Sequence, residues 1–304
     1  MTAACENLLL FGGVPSSYLA DWEITHDLPM AEAKLGVRFV PIPQEELRHR
    51  YMSLDETAQR AATRLAEGLV DGAHPHASNR MPAAPNLGAI IAATKLYVAM
   101  DQIYQQREGD AVSVACSPWI HGEDLPVPCT ALMLFQEEGI PAACQTDIDA
   151  LLTMVMVKRA TGLASFMGGA IKAQGKLGIN HCVICRNLAG PESPQQPYTL
   201  SNYHGRKESP TVWAEVPTGK RVTVARLTKG LNNLLLLSGI LVANQTHNTR
   251  CRNTLVIDVP NRDRVFKAVK GVQNHYVVAV GDHTQTLSEM AQSLDIEVVR
   301  LDQE

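Results

Sequence analysis

Polar side chains able to move protons follow two predicted strands in the stretch from residue 139 to 186. The stretch predicts a strand, a tight turn with Gln145, a helix start at Asp147, and a second strand that ends at His181. Chemistry in α/β enzymes gathers at carboxyl ends of strands and amino ends of helices, where backbone dipoles point outward. We therefore predict that Asp147 and His181 are catalytic. His275 enters the buried run YVVAV and needs a polar partner there, which makes it the third catalytic candidate.

The same residues also have simpler structural interpretations. Asp147 and Asp149 stand in the first turn of the predicted helix, where a carboxylate stabilises the positive helix end by about 0.3 to 1 kcal/mol. Asp147 lies nearer the turn and is the stronger site candidate.

A CxxC motif, Cys182 to Cys185, follows the second strand and has no second CxxC pair elsewhere in the sequence. It would form a metal or cluster site only if another cysteine joined it, and three single cysteines lie near predicted sheet ends: Cys116, Cys129 and Cys144. Buried free thiols, which pack as small hydrophobic groups, are the alternative for all of them.

Four further residues are candidates for substrate binding. Arg186 would hold an acidic sugar or a sugar phosphate, and Arg252 would meet a carboxylate, an anionic ligand or a structural ion-pair partner. His204, in the polar segment SNYHGRK, is either a substrate contact or a solvated loop residue. Trp119, in SPWIHGED near His121, could stack on the face of a sugar.

Strand and helix patterns alternate in the first half of the chain and predict a parallel sheet with helices on both faces. We assign residues 1–178 to an α/β, flavodoxin-like domain. Ser53 and Thr146 are the predicted N-caps of two of its helices. The predicted strands cover residues 7–11, 37–42, 111–116 and 140–144, and the predicted helices cover 54–69, 87–107 and 147–160.

After about residue 191, short apolar strands separated by Gly, Pro and Asn predict a mostly antiparallel sandwich or barrel. We assign residues 179–304 to this β-rich domain. Its predicted strands cover residues 213–216, 221–227, 234–242, 254–259, 276–280 and 296–301, with a helix at 285–294.

Composition excludes several classes of function. The net charge is −4 with no basic run, and aromatic residues make up 5% of the chain, so we expect no nucleic-acid partner. No apolar run approaches the roughly 18 to 20 residues that span a bilayer, so we expect no membrane partner. Seven cysteines, an odd number, are typical of a reducing compartment, and we predict a cytoplasmic protein.

Six segments in order resemble the L-fucose isomerase-like sugar isomerases: GIPAACQTDIDALLTM, FMGG, INHCVICRNLAG, GKRVTVARL, TRCRNTLVIDV and NHYVVAVGDHTQTLSEMAQSLDI. The resemblance covers nearly the whole chain, as the C-terminal two-thirds of that family. It implies an α/β domain followed by a β-barrel-like domain, a homo-oligomer with active sites at subunit contacts, and loss of the family's further N-terminal α/β domain.

Isomerases of this family interconvert aldoses and ketoses by proton transfer through an enediol, with a divalent metal that is usually Mn²⁺. The resemblance places the family's two ligand acids at Gln145 and Gly169 and its histidine ligand at His275. An amide binds a hard cation more weakly than a carboxylate, and glycine offers no ligand. We predict Asp147 and His275 as the ligands of a metal in this chain, with Asp149 as a further carboxylate; the alternative is a partner subunit that completes the site.

These features predict a carbohydrate isomerase-like enzyme acting on a sugar or sugar acid, with Gln145 as a substrate contact. Two alternatives stay open. One is a degenerate or partner-dependent sugar-binding subunit, for which a partner chain supplies the missing domain. The other is the same fold with Cys-dependent metal chemistry.

Overall fold

The computed structural model describes residues 5–13, 27–75, 84–116, 125–190, 195–206, 208–247, 250–271 and 275–303. Trp119 and His121, two of the predicted site residues, lie outside these ranges. In the described part of the chain, no helix is long and apolar enough to cross a membrane.

A four-stranded parallel sheet forms the first half of the fold, in the order β2-β1-β3-β4. The first strand of the chain is one of the two inner strands of this sheet. It carries Leu8, Leu9, Leu10 and Phe11 in succession, all fully buried, because helices cover both faces of the sheet. This order matches the first four strands of a flavodoxin-like sheet, as predicted. The strands are β1 (Glu6–Phe11), β2 (Val37–Ile42), β3 (Ala111–Val114) and β4 (Ala142–Cys144).

Within the described residues, six helices connect or flank these strands. They are α1 (Leu28–Leu35), α2 (Gln44–Met52), α3 (Glu56–Asp71), α4 (Leu87–Gln106), α5 (Cys129–Glu137) and α6 (Ile148–Thr161). The two predicted N-caps are wrong by one or two residues. Asp55 caps α3 and Asp147 caps α6, each accepting a backbone N–H three residues later, while Ser53 ends α2. In both cases a carboxylate close to the predicted hydroxyl takes the capping position.

The second half of the fold is a seven-stranded sheet that closes on itself. Its order is β11-β6-β5-β12-β9-β10-β13, and β11 also pairs with β10. The six strands from β11 to β10 thus form a closed antiparallel barrel, and β13 adds to β10 in parallel. The strands are β5 (Phe166–Ala173), β6 (Lys176–His181), β9 (Arg221–Leu227), β10 (Asn233–Gln245), β11 (Asn253–Asp258), β12 (His275–Val280) and β13 (Glu297–Arg300).

Strand β10 makes the closure possible. It is 13 residues long and has a register shift between Leu241 and Ala243. Its first part pairs with β13 and its last part pairs with β11, so one strand serves two neighbours on the same side. The predicted fold class, a parallel-sheet domain followed by a mostly antiparallel barrel-like one, is confirmed.

The change from one sheet to the other comes after α6. The hairpin of β5 and β6 already belongs to the barrel, so the predicted boundary between residues 178 and 179 falls inside β6. The hairpin turns at Gln174 and Gly175, which both have positive φ, as a two-residue turn requires. The division into two domains stays a prediction.

A further hairpin and two helices lie outside the two large sheets. Strands β7 (Tyr198–Asn202) and β8 (Pro210–Ala214) form a separate hairpin with a 3₁₀ turn at Tyr203–Gly205. Asn253 fastens this hairpin to the barrel, since its side chain accepts from Ala214 N–H and donates to the Val212 carbonyl. Helices α7 (Arg262–Gly271) and α8 (Thr284–Ser293) connect barrel strands.

Helix α6 is the element that joins the two sheets. It packs against β3 and β4 of the parallel sheet and against β9 and β12 of the barrel. Its amino end therefore lies where the carboxyl end of β4 meets the barrel wall.

Candidate active site

The turn between β4 and α6 has an unusual backbone. Gln145 and Thr146 are consecutive non-glycine residues with φ of +59° and +48°. Such conformations cost of order 1 kcal/mol or more each, and a β-branched residue rarely adopts one. The turn is held because Thr146 N–H donates to the Val114 carbonyl and Asp147 N–H to the Cys144 carbonyl. The strained backbone places Asp147 at the first turn of α6.

Asp147 is the centre of a buried network. One carboxylate oxygen accepts from Ala150 N–H at 3.0 Å and caps the helix. The other lies 3.0 Å from His275 Nδ1 and 3.3 Å from both His275 N and an Arg226 guanidinium nitrogen. Burial alone would raise the pKa of Asp147, but the Arg226 charge and the His275 hydrogen bond together hold it below its usual value. The carboxylate is therefore ionised at neutral pH.

Arg226 joins α6 to the barrel. It is 1% exposed, donates to the His275 carbonyl at 2.5 Å and lies 3.6 Å from Asp149. Burial works against its charge, yet Asp147 and Asp149 raise its pKa above the usual value. Arg226 was not among the predicted site residues. The sequence does carry a signal for it. Arg226 stands two residues after Val224 and four after Val222, so it lies on the same face of the strand as these two buried valines.

The contact with Asp147 fixes the proton of His275. An ionised carboxylate only accepts hydrogen bonds, so Nδ1 of His275 carries a proton. The same arrangement leaves Nε2 of a neutral His275 with a free lone pair. His275 is 7% exposed.

His181 lies beside His275 with the opposite proton arrangement. The two rings are nearly perpendicular, with centroids 5.1 Å apart. Nδ1 of His181 accepts from Val183 N–H at 3.1 Å, so in the neutral ring Nε2 carries the proton. Burial, followed by the neighbouring His275 and His204, lowers the pKa of His181 well below its usual value, which keeps it neutral. The structure thus brings Asp147, His181 and His275 together, and their catalytic roles stay predictions.

The two positions that the resemblance assigns to ligand acids also converge here. Gly169 pairs directly with His275 across the sheet, and Gln145 stands two residues before Asp147. A Cβ atom built on Gly169 would meet nothing nearer than the Asn180 carbonyl oxygen at 4.0 Å, so space for a side chain exists beside His275.

The donor set present does not fit a Mn²⁺ ion. Mn²⁺ prefers several carboxylate, carbonyl or water oxygens. Gly169 has no donor, Gln145 offers a neutral amide, and both oxygens of Asp147 are held by Ala150, Arg226 and His275. Using Asp147 as a ligand would take the nearer of two carboxylate partners from the buried Arg226 guanidinium.

The predicted substrate-binding arginines have protein partners. Arg186 forms a two-pronged ion pair with Glu137, at 2.5 and 2.6 Å, and lies over the Tyr198 ring. Arg252 was expected to meet a carboxylate or an anion, but its guanidinium donates to the carbonyls of Asn202, His247 and Arg250. Their roles in substrate binding, and those of Gln145, Trp119 and His204, stay predictions.

The cysteines group differently from the expected arrangement. The expected metal site combined Cys182 and Cys185 with one of three other cysteines. Cys182 does contact Cys129, one of the three, but it also lies with Cys251 and His204 and not with Cys185, and Cys116 lies 3.2 Å from Cys144, sulfur to sulfur. Cys185 is buried, and burial raises its pKa to about 12.

Comparison with known proteins gives distant matches to sugar isomerases. The sulfoquinovose isomerase of Clostridium sp. (strain MSTE9) is 26% identical over 274 residues, which are 86% of this chain and 58% of that protein. Sulfoquinovose isomerases of Priestia aryabhattai and of Priestia megaterium (strain ATCC 12872 / QMB1551) are each 24% identical over 201 residues, 64% of this chain and 44% of theirs. No protein-family model matches. The chain thus spans about half the length of these curated relatives, and its similarity is to sugar isomerases at the family level.

Proposed function

We propose that this chain catalyses the isomerisation of a sugar between its aldose and ketose forms. The observation that carries the proposal is the pair of adjacent imidazoles with opposite proton arrangements, one of them bonded to a buried carboxylate. The similarity of the chain to parts of known sugar isomerases supports the same chemistry.

The residues divide the proton transfers between them. In the open-chain aldose, Nε2 of His275 takes the proton from C2, and the C2 electron pair forms the double bond of an enediolate. His181 donates its Nε2 proton as a hydrogen bond to the carbonyl oxygen, where negative charge develops. His275 then returns its proton to C1, and a proton moves from the C2 hydroxyl to the C1 oxygen. No external oxidant is needed, because C1 is reduced as C2 is oxidised.

Asp147 and Arg226 support this cycle. Asp147 orients His275 and stabilises the imidazolium that forms when Nε2 accepts a proton. Arg226 keeps Asp147 ionised and fixes its position relative to β12. We assign Arg226 as a positioning residue.

The relatives' name indicates the first substrate to assay, sulfoquinovose, followed by unsulfonated hexoses and sugar acids. Wild-type protein, incubated with each sugar in D₂O, is expected to incorporate deuterium at C1 of the ketose as it forms, and at C2 of the aldose when the reaction reverses, read by NMR. His275→Gln and His181→Gln are each expected to slow this exchange by about 10²-fold or more, the usual contribution of one acid–base group. The exposed residue His49 provides the control variant, His49→Gln, with an unchanged rate.

Equal exchange rates in wild type and both site variants would contradict the assignment of the two histidines. The absence of both ketose formation and deuterium exchange by wild type with all of these sugars, with or without added Mn²⁺, would contradict the activity itself.

A second candidate is a sugar-binding subunit whose site another chain completes. The observation in its favour is the amide and the glycine at the two positions of the family's acids. This candidate predicts sugar binding by calorimetry without deuterium exchange, and exchange only after a complete relative is added. We also propose assembly into an oligomer and a cytoplasmic location, both tested on endogenous protein by size-exclusion chromatography and cell fractionation.

A further inference from the structure

A second cluster of chemically reactive side chains lies directly after His181. The ligand atoms of Cys182, His204 and Cys251 are all within 4.8 Å of one another. His204 Nε2 is 3.2 Å from the Cys251 sulfur. Neither the proposed isomerisation nor the similarity to sugar isomerases uses these three residues.

Three separate elements bring the cluster together, and each is anchored by its backbone. Cys182 follows β6, and its carbonyl accepts from the Thr211 hydroxyl at 2.5 Å. Cys251 precedes β11, and its carbonyl accepts from the Asn180 side chain at 3.1 Å. The ligand atoms thus lie on backbone that the barrel and the β7–β8 hairpin already hold in place.

His204 is held in an unusual conformation that points it at the thiols. Its φ is +48°, within the left-handed region, and its ring stacks on Tyr203 at 4.0 Å with a 10° interplanar angle. A non-glycine residue keeps such a backbone only where its surroundings enforce it. The strain is explained if the ring's position matters for binding.

The geometry points to a Zn²⁺ site with three protein ligands, Cys182, His204 and Cys251, and we propose that its fourth position is open to solvent. Sulfur and imidazole nitrogen select a borderline-soft cation over Mg²⁺, Ca²⁺ or Mn²⁺. Tetrahedral Zn²⁺ with bonds of about 2.3 Å to sulfur and 2.0 to 2.1 Å to nitrogen separates its ligand atoms by roughly 3.6 to 3.8 Å. The cluster reaches that spacing by small side-chain rotations.

The open fourth position follows from the surroundings. Cys182 and Cys251 are buried or half-buried, whereas His204 is exposed, so solvent reaches one side of the cluster. The thiol of Cys129 also contacts Cys182. Among the described residues, however, Cys129 is not part of the group whose ligand atoms all lie within 4.8 Å of one another. Two thiol protons leave when the cation binds, so binding weakens as the pH falls.

The test measures the metal and not turnover, so it is independent of the proposed isomerase activity. Protein purified without oxygen, stripped with chelator and loaded with Zn²⁺, is expected to hold one zinc per chain by mass spectrometry. Co²⁺ in its place is expected to give a sulfur-to-cobalt charge-transfer band and intense tetrahedral d–d bands. Cys182→Ser and Cys251→Ser are expected to lose both signals.

His204→Gln keeps the test decisive should the buried cysteine variants fail to fold, because His204 is exposed. It is expected to bind Zn²⁺ at least about 10-fold more weakly, a loss of about 1.4 kcal/mol. Cys185→Ser and the surface variant Cys5→Ser are the matched controls and are expected to keep one zinc.

Three results would overturn the proposal. Wild-type protein without tightly bound zinc would exclude the site, and unchanged affinity in His204→Gln would exclude this ligand set. Loss of zinc in Cys129→Ser would show a closed, four-ligand site and remove the open position.

Discussion

The double variant Gln145→Glu, Gly169→Asp is expected to bind Mn²⁺. The unchanged chain lacks the oxygen donors that this ion needs. The double variant would place two carboxylates beside His275, which is the ligand set that the family resemblance implies. Each added carboxylate is expected to tighten Mn²⁺ binding by at least about 10-fold, or about 1.4 kcal/mol. Electron paramagnetic resonance of free Mn²⁺ measures the affinity, and deuterium exchange with the sugar measures any gain in activity.

The structure shows why this pair of changes can be accommodated. Gly169 has no left-handed φ, and a Cβ there would meet only the Asn180 carbonyl, at 4.0 Å. Glu has nearly the size of Gln, so the change at residue 145 adds charge without altering the strained turn.

Gly168→Asp, one residue earlier, is the matched control. A Cβ there would lie 2.9 Å from backbone atoms of Asn180, so this variant is expected to lose stability and to gain no Mn²⁺ affinity. A folded double variant that binds Mn²⁺ no better than the unchanged chain would contradict the idea that two missing acids separate this site from a family-type metal site.

Asp147→Asn is expected to lower the free energy of unfolding by about 3 kcal/mol, the lower end for a broken buried ion pair, because it removes the nearer carboxylate of the buried Arg226 and leaves Asp149 at 3.6 Å. The amide oxygen can still accept from Ala150 N–H, so the helix cap survives and the loss reports mainly the charge. Urea denaturation measures the loss in the free energy of unfolding. The control is Glu56→Gln, which removes the carboxylate of an exposed ion pair with Arg60. It is expected to change the free energy of unfolding by no more than about 0.5 kcal/mol.

The same carboxylate predicts how stability depends on pH. Asp147 has a lowered pKa in the folded chain and an ordinary value, about 3.9, in the unfolded chain. At acid pH the unfolded chain therefore binds a proton that the folded chain does not, so the contribution of Asp147 is present above pH 4 and lost below it. Wild type should lose stability more steeply than Asp147→Asn below pH 4. Parallel curves for the two proteins would contradict this assignment.

Much of the fold was readable from local patterns, and much of the site was not. The strand at residues 221–227 and the turn holding Asp147 follow from local sequence patterns. The candidates His181 and His275 follow from their places at the ends of predicted strands, and the family resemblance also points to His275. Closure of the barrel depends on the pairing of β10 with β11, which no local pattern encodes.

Arg226 and His204 illustrate the limits at the site itself. Arg226 is charged in a strand that local rules describe as apolar. Its carboxylate partners, Asp147 and Asp149, lie about 80 residues earlier in the chain. His204 and Cys251 are 47 residues apart and meet because the β7–β8 hairpin docks on the barrel. Contacts of this kind arise from packing between elements, so sequence spacing cannot reveal them.

Closure of the barrel also limits how copies of this chain could associate. The six barrel strands have neighbours on both sides, and so do β1 and β3, so among the described strands of the two large sheets, β2, β4 and β13 provide the free edges. Strand β4 has three residues, β13 has four, and β2 contains Pro41, which cannot donate to a ladder. Continuous sheets shared between copies, and the fibrous aggregation they permit, are therefore disfavoured. Assembly through these two sheets should therefore depend on side-chain surfaces, and surface substitutions there should be enough to disrupt it.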